Sequence, residues 1–414
     1  MRKNGINRQL LQIDGGVCAP SGFRANAMYC GISRIGISPS QSLQEGDVRE
    51  DLGIIVGDNR YPTACVYPTG ELCGAPVKIC KRHCSLGLAR AVIVNSQIAN
   101  TFDKEGETQS ESICRAIAQK LQTSPDEVLI ASTGEVLQPY PWQTIVGSVS
   151  PLIDGLGGRA EHSRAVARVM SSEDEEIGEV SYSFYIGDYP CKIGAVFQGN
   201  KRRSQVMPTT LCFLTTDVNI STQMLQRALQ TAVGETFGML VSDAPASPND
   251  TICIMSSRKA ENYRISRLDS EYHKFEYALR ETLFRICLHI AGQGAFCSKA
   301  IVYHVRGATS KRAAKSIAKA LAGSIGLRKS IRRGELSLPD VLCAFQAGEA
   351  SMDASRLLLA ISSSQRDLVL VEEGKRMFLS SESINMLLSE EEIRITVDFQ
   401  NGNFSARAVG SDLA

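Results

Sequence analysis

No stretch of this sequence approaches the roughly 18 consecutive apolar residues that a membrane-spanning helix needs, so an integral membrane protein is not expected. The opening residues, MRKNGINRQLLQIDGG, carry early basic side chains but no apolar segment long enough for a secretory signal. Charge of one sign is also missing. The 45 basic and 44 acidic residues leave a net charge of +1, too little to draw the chain to nucleic acid or an anionic surface. Histidine is scarce, with five in 414 residues, and none lies in a recognisable metal-binding or catalytic motif. A phosphate loop, a dinucleotide-binding glycine fingerprint, a Ser-His-Asp arrangement and a metalloprotease helix are absent as well. The expectation is a cytoplasmic protein with no membrane and no nucleic-acid partner.

Cysteine is not scarce. There are thirteen, an odd number scattered along a chain without a secretory signal, the usage of reduced and mostly buried thiols. Cys65, Cys73, Cys80, His83 and Cys84 lie close together in sequence. A structural zinc site uses paired short spacings such as C-x2-C, and only Cys80-x3-Cys84 comes near one. No metal site is expected.

Hydrophobic residues make up 43% and charged residues 21%, the balance of a globular chain long enough for two or three units or one large domain. Apolar residues recur every four positions at Ile113, Ile117 and Leu121, behind Ser110 and Ser112, either of which is placed to cap. The same period marks Leu225, Leu229 and Val233 behind Ser221, then Phe275, Leu279, Leu283, Ile286 and Ile290, and finally Ile317, Leu321 and Ile325. Each spacing predicts a helix. Strands are predicted at 91–96, 128–132 and 212–216, and His304 in IVYHVRG alternates with apolar neighbours as a strand residue would. Ile393, Ile395, Val397 and Phe399 alternate with polar residues, and Asn401-Gly402 then predicts a hairpin returning through NFSARAV. Helices and strands mixed throughout define an α/β or α+β class. Between Arg306 and Arg333 lie nine Lys or Arg residues and no acidic one. With no aromatic residue there for base stacking, the stretch reads as a helix with Lys311, Lys315 and Lys319 outside and Ile317 and Leu321 inside.

Residues 206–221, VMPTTLCFLTTDVNIS, are by spacing alone an ordinary β-branched strand. The order of the surrounding motifs adds a second reading. GGVCAPSGFRA (15–25), ARAVIVNSQIAN (89–100), EVLIASTGEVLQPYP (127–141), TTLCFLTTD (209–217), NDT (249–251) and GQGA (292–295) follow one another along nearly the whole chain. In this the chain resembles the ornithine acetyltransferase family, also called the glutamate N-acetyltransferases.

The resemblance implies a mixed α/β, self-processing N-terminal-threonine acetyltransferase fold of layered sheets and helices. It implies cleavage at Pro208-Thr209 into an α chain of residues 1–208, carrying the oxyanion side, and a β chain of residues 209–414, carrying nucleophile and substrate side. Thr209 would then be the nucleophile, with its own freed α-amine, of pKa about 7.7–8.0, as base. Such a site needs no histidine. Thr133 and Gly134 would form the oxyanion hole, and Ser172, Gln198, Thr209 and Gln293 would meet the substrate. The implied activity moves acetyl from N-acetylornithine to glutamate in arginine biosynthesis, through an acetyl-threonine and without a cofactor; acetyl-CoA is a second candidate donor. The implied partners are small amino-acid substrates and the chain's own cleaved halves, assembled as an α2β2 heterotetramer or larger.

The sequence departs from that family at several of these positions. The family stretch KGSGMIAPNMAT reads QGNKRRSQVMPT here, so a substrate-contacting lysine falls on Gln198 and the alanine before the cut on Pro208. The family's paired threonines fall on Ser171-Ser172, and the glutamate of its GEGA motif falls on Gln293. A tyrosine-rich tail that follows the family's final DL has no counterpart after Leu413-Ala414. Exchanging charges for amides weakens recognition of an amino acid's charged ends. Two alternatives therefore stay open: a self-processing relative that uses another acylated amine or hydrolyses an amide, and a non-catalytic paralogue serving as a partner subunit.

Overall fold

The computed structural model describes residues 10–32, 49–70, 72–171, 177–198, 209–242, 246–292, 299–348 and 354–412. The chain divides into two compact units, one of residues 1–199, 204–232 and 246–282, the other of residues 200–203, 233–245 and 283–414. This is a division by packing. The boundary expected at Pro208-Thr209 is one of covalent processing, and Pro208 lies outside the described residues.

The first unit carries strands β1 (Leu11–Gln12), β2 (Phe23–Met28), β3 (Leu52–Val66), β4 (Leu88–Asn95), β5 (Val128–Ser132), β6 (Glu179–Ile186), β7 (Tyr189–Phe197), β8 (Leu211–Thr216) and β9 (Thr251–Ser256). Its helices are α1 (Ala75–His83), α2 (Gly106–Leu121), α3 (Trp142–Asp154), α4 (Ala160–Met170), α5 (Thr222–Glu235) and α6 (Ser270–Gly292), the last two continuing into the second unit. The strand order is β1-β6-β7-β8-β9-β3-β4-β5, with β2 also on β3. Two neighbouring pairs are parallel, β4 with β5 and β8 with β9. Parallel strands need a long crossover, supplied by α2 in the first case and α5 in the second. Helix α4 packs on β2 and β3, and α1 packs on β5. Coverage of this kind explains why residues 91–94 and 128–131 read as unbroken apolar runs rather than alternating ones.

Strand β3 shapes this sheet. Its first part pairs with β4, from Leu52 opposite Asn95 to Val56 opposite Ala91; after a register shift its end pairs with β9, from Thr63 opposite Met255 to Val66 opposite Ile252. A register shift of this kind bends a strand. Gly57 stands at the shift, where a Cβ would come within 2.7 Å of the Tyr61 ring and 2.8 Å of the Asn59 carbonyl oxygen. The next three residues are exposed, and Tyr61 turns back into the core, edge-on to Phe23 at 5.4 Å between ring centroids.

Three of the four helical stripes, in α2, α5 and α6, fall where the spacing predicts, but one cap does not. Helix α2 begins at Gly106, one turn before Ser110. Ser110 is buried inside it and meets the Asn100 side-chain amide at 2.9 Å, while Ser112 donates back to the Thr108 carbonyl. Ser221 does cap α5, accepting from Met224 N at 3.3 Å.

The second unit holds β10 (Ala300–Ala308), β11 (Leu358–Ser362), β12 (Asp367–Glu372), β13 (Lys375–Arg376), β14 (Glu392–Asp398) and β15 (Phe404–Ser411), ordered β13-β12-β11-β14-β10-β15. Its remaining helices are α7 (Lys311–Gly323), α8 (Ile325–Arg332), α9 (Leu338–Ala344) and α10 (Ser381–Leu388). The hairpin expected around Asn401-Gly402 is not formed. β10 lies between the two strands, parallel to β14 and antiparallel to β15. The residues between them cross the end of β10, with Phe399 N donating to Arg306 O and Asn401 N to Gly307 O. The physical reason is burial: Val302 and Tyr303 are fully buried, and only a central strand puts both faces of such a run out of water.

The basic stretch forms α7 as expected, capped by Ser310, with Ile317 and Leu321 buried on β10 and β15. The predicted stripe is interrupted at Ser324, which caps a new helix, so Ile325 is 59% exposed rather than packed. His304 is a strand residue in β10, its pKa lowered to about 4 by burial and by the neighbouring Arg407, Arg306 and Arg394. With β10 paired on both sides, the amides of Val302 and Tyr303 should be among the slowest of the second unit in native-state hydrogen exchange. Exchange as fast as in the two-residue strand β13 would place β10 at an edge, as a β14–β15 hairpin requires.

Candidate active site

Thr209 lies two residues before β8 and is 2% exposed. Its Oγ1 is 3.0 Å from the Oγ of Ser247. Ser247 opens a turn of Ser, Pro, Asn and Asp, residue types that favour tight turns, which leads directly into β9. Within it Asn249 N donates to Ser247 Oγ at 3.2 Å, and Asp250 N donates to the Ser247 carbonyl at 3.2 Å. The Asp250 carboxylate accepts from Thr210 N at 2.6 Å and from Ser247 N at 3.0 Å. Thr251 N donates to Thr210 O at 2.9 Å, the first rung of the β8–β9 ladder. The two hydroxyls are thus held from both sides by backbone that one carboxylate ties together.

Burial pushes the Asp250 carboxyl up to about 6, against the pull of its two amide donors. A folded value above the ordinary carboxylate value means that the folded chain takes up this proton more readily than the unfolded one. The group therefore favours folding at low pH, and that contribution is lost as the pH rises through about 6. Ionised Asp250 is held at neutral pH despite its burial.

Asn249, 1% exposed, connects this turn to another part of the sheet. Its side-chain amide donates to the Ser132 carbonyl at the end of β5, at 3.0 Å, and to the Ala99 carbonyl. Its Oδ1 has no hydrogen-bond partner among the described residues. Just past Ser132 come Thr133 and Gly134. Thr133 N donates to Asn95 O at 3.0 Å, and Asn95 Oδ1 accepts from Ser132 Oγ at 2.7 Å and Tyr140 OH at 2.9 Å. Gly134 has φ +134°, and a Cβ there would lie 2.0 Å from the Gln97 carbonyl carbon. Backbone packed so closely admits only glycine. The loop facing it is unusual too, with Gln97, Asn100 and Phe102 all at positive φ. Glu135 N donates to Gln97 O and Ala99 N to Glu135 O, both at 2.8 Å, which locks the two loops together.

Of the residues singled out from sequence, Thr209, Thr133 and Gly134 are thus linked through Ser247 and Asn249. Gln198 continues the β7–β8 pairing, its N donating to Leu211 O at 2.8 Å, and its Oε1 is buried without a partner among the described residues. Ser171 is buried at the end of α4 and donates to the Ala167 carbonyl. Ser172, Pro208 and Gln293 lie outside the described residues. Sequence reasoning singled out NDT as a motif but assigned no role to Ser247, Asn249 or Asp250. The turn signal Ser-Pro-Asn-Asp was legible; the contacts across the sheet were not.

The cysteine cluster does other work. His83 bonds the Val128 carbonyl through Nδ1 at 2.8 Å and Glu111 through Nε2 at 3.3 Å, and Cys80 Sγ is 3.0 Å from the Ile130 carbonyl. Among the described residues no group of His, Cys, Asp and Glu is arranged to hold a metal.

Fold and site together define a layered, mixed α/β protein that buries a pair of hydroxyls at the start of a strand, tied to a glycine-containing loop at the end of another. The chain belongs to the ArgJ family, whose profile matches residues 38–414. It is 28% identical over 404 residues to the arginine biosynthesis bifunctional protein ArgJ of Staphylococcus epidermidis, covering 97% of this chain and 96% of that protein. It is 29% identical over 423 residues to the glutamate N-acetyltransferase of Methanothermobacter thermautotrophicus, covering 98% and 96%. Among solved structures it is similar to a Bacillus halodurans ArgJ, with 28% identity and a TM-score of 0.44 over 49% of this chain and 93% of that one.

Two substitutions test the architecture of the site. Gly134→Ala should destabilise the first unit by about 2–4 kcal/mol through clash and a disfavoured φ. Asn249→Ala leaves two buried carbonyls without donors and should lose about 2–4 kcal/mol. Urea unfolding reads both, and a loss below about 0.5 kcal/mol in either would mean that these contacts do not organise the site.

Proposed function

We propose that the chain cuts itself between Pro208 and Thr209, and that the freed Thr209 transfers acetyl from N-acetylornithine to glutamate. The observation that carries this reading is a buried Thr209 hydroxyl 3.0 Å from Ser247 Oγ, in a chain of the ArgJ family whose curated relatives include a glutamate N-acetyltransferase.

In the first step Thr209 Oγ1 attacks the Pro208 carbonyl carbon, the Pro208–Thr209 amide bond breaks, and the acyl group sits as an ester on Thr209. Water then hydrolyses the ester, leaving a carboxylate on Pro208 and a free α-amine on Thr209. That amine, of pKa about 7.7–8.0, is in part unprotonated near neutral pH, and this neutral fraction serves as base for the adjacent hydroxyl. In the second reaction Thr209 Oγ1 attacks the acetyl carbonyl of N-acetylornithine, its C–N bond breaks and ornithine leaves with the proton. Glutamate's amine then takes the acetyl group and Thr209 is regenerated. Negative charge on the carbonyl oxygen in each step calls for donors held in advance. The Thr133-Gly134 turn supports that role: hydrogen bonds from Thr133 N to Asn95 O and from Glu135 N to Gln97 O flank it, and Gly134 N donates to no acceptor among the described residues.

On this reading the products are α and β chains of residues 1–208 and 209–414, which remain associated and pair as α2β2 or larger. The substrate contacts are Ser172, Gln198, Thr209 and Gln293, no cofactor is needed, acetyl-CoA is a second possible donor for the same ester, and the setting is the cytoplasm. One observation favours a second reading. Gln198 offers a neutral, buried carbonyl oxygen, without a partner among the described residues, where the family's lysine would offer a charge, which suits a less charged acylated amine.

Intact mass of the purified protein should show two chains of nearly equal mass, one of them beginning at Thr209, and Thr209→Ala should remain whole. A wild-type chain uncut after long incubation overturns the reading. If cleavage occurs, N-acetylornithine should add one acetyl mass to the β chain; cleavage without that adduct leaves the less charged acylated amine as the substrate.

A further inference from the structure

The Asp250 carboxylate occupies a place in the hydroxyl site that the reaction above does not use. Its two oxygens accept from Thr210 N and Ser247 N, at 2.6 and 3.0 Å. Thr210 N is the amide next to Thr209, and Ser247 carries the hydroxyl 3.0 Å from Thr209 Oγ1. One carboxylate therefore holds the backbone of both partners in the hydroxyl pair. A protonated carboxyl would keep one good acceptor and present a donor to an amide that is itself a donor. A carboxamide has the same deficiency, one acceptor oxygen and an NH2 turned on a second donor, so of these groups only the ionised carboxylate holds both amides.

We propose that ionised Asp250 is a positioning residue for Thr209. It acts through Thr210 N and Ser247 N, keeping the threonine hydroxyl aligned on Ser247 for self-cleavage and acyl transfer. The inference rests on Thr209 being the nucleophile. Among the described residues only burial and those two amides act on the carboxyl, so no charged neighbour compensates it, and its value of about 6 lies close to neutral pH. Loss of its proton on going from pH 5 to pH 7.5 tightens the clamp, and the rate of self-cleavage rises with it.

The experiment follows the full-length precursor, wild type and Asp250→Asn, by intact mass from pH 5 to pH 9. Amide exchange at Thr210 and Ser247 is measured in the same samples. Wild-type cleavage should fall off below about pH 6. Asp250→Asn should cleave roughly 100-fold more slowly at pH 7.5, as expected when a reacting group is misplaced by about an ångström, and should lack the acid fall-off. In the processed enzymes kcat should drop while KM for N-acetylornithine stays the same. Because the variant could lose its fold, the wild type alone supplies a second reading. Protection at Thr210 and Ser247, corrected for intrinsic exchange, should drop below about pH 6, while Leu214 within β8 stays protected. Wild-type rates in Asp250→Asn, or unchanged protection at both amides across the pH range, would overturn the positioning role and leave Thr209 as nucleophile intact. A wild-type chain that stays whole at every pH overturns the nucleophile reading, and the positioning role falls with it.

Discussion

The bend in β3 is the constraint on which the site depends. Asn95, at the end of β4, pairs with Leu52 at one end of β3, and Ile252, at the start of β9, pairs with Val66 at the other. A straight strand would hold those ends roughly 45 Å apart at about 3.3 Å per residue. Yet the side chain of Asn249, two residues before Thr251–Ile252 are reached in the ladder, bonds the carbonyl of Ser132, the β5 partner of Asn95. Both statements hold only if the sheet folds over on itself between Val56 and Tyr61. Gly57 permits that fold, because any side chain there would meet Tyr61. The bend thus brings the start of one parallel strand pair to the end of the other.

What meets at that point is a site made of hydroxyls, amides and one carboxylate. Such a site cannot rely on an imidazole to take a proton, and the pairing of Thr209 with Ser247 does not by itself create a strong nucleophile. Position is what this arrangement supplies. Asn95 organises the Ser96–Ile98 loop and the Ser132–Tyr140 side through four hydrogen bonds, and Asn249 ties that loop to the turn carrying Ser247. Buried asparagines in this role leave few alternatives, because each lost bond exposes a carbonyl that water cannot reach. Glycines at 57 and 134 complete the scheme by allowing backbone and ring to approach where any Cβ would collide.

Much of the fold was legible in sequence because it rests on local period. The apolar runs at 91–96 and 128–132 are β4 and β5, the four-residue stripes are α2, α5, α6 and α7, and the motif order led to the family. The failures share a cause. Asn401-Gly402 carries a strong local turn signal, but the long-range demand to bury β10 on both faces overrides it. Ser110 has the side chain of a cap and serves as a buried partner of Asn100 instead. Ser247, Asn249 and Asp250 carry no periodicity, and their significance arises only from contacts between residues 38 to 150 positions apart, which no window along the chain can contain.

The central place of β10 also sets an order of events during synthesis. This strand leaves the ribosome more than eighty residues before β14, and β15, which follows the other described strands, is its other neighbour. Until β15 emerges, β10 has an open edge and α7 lacks one of the two strands on which it packs. The second unit therefore cannot complete its sheet by zipping up neighbouring segments as they appear; it has to wait for β14 and β15. Contacts of such long sequence separation make folding slow. Among the described strands of this sheet, β15 is the one translated after all the others, and it closes the edge that β10 leaves open.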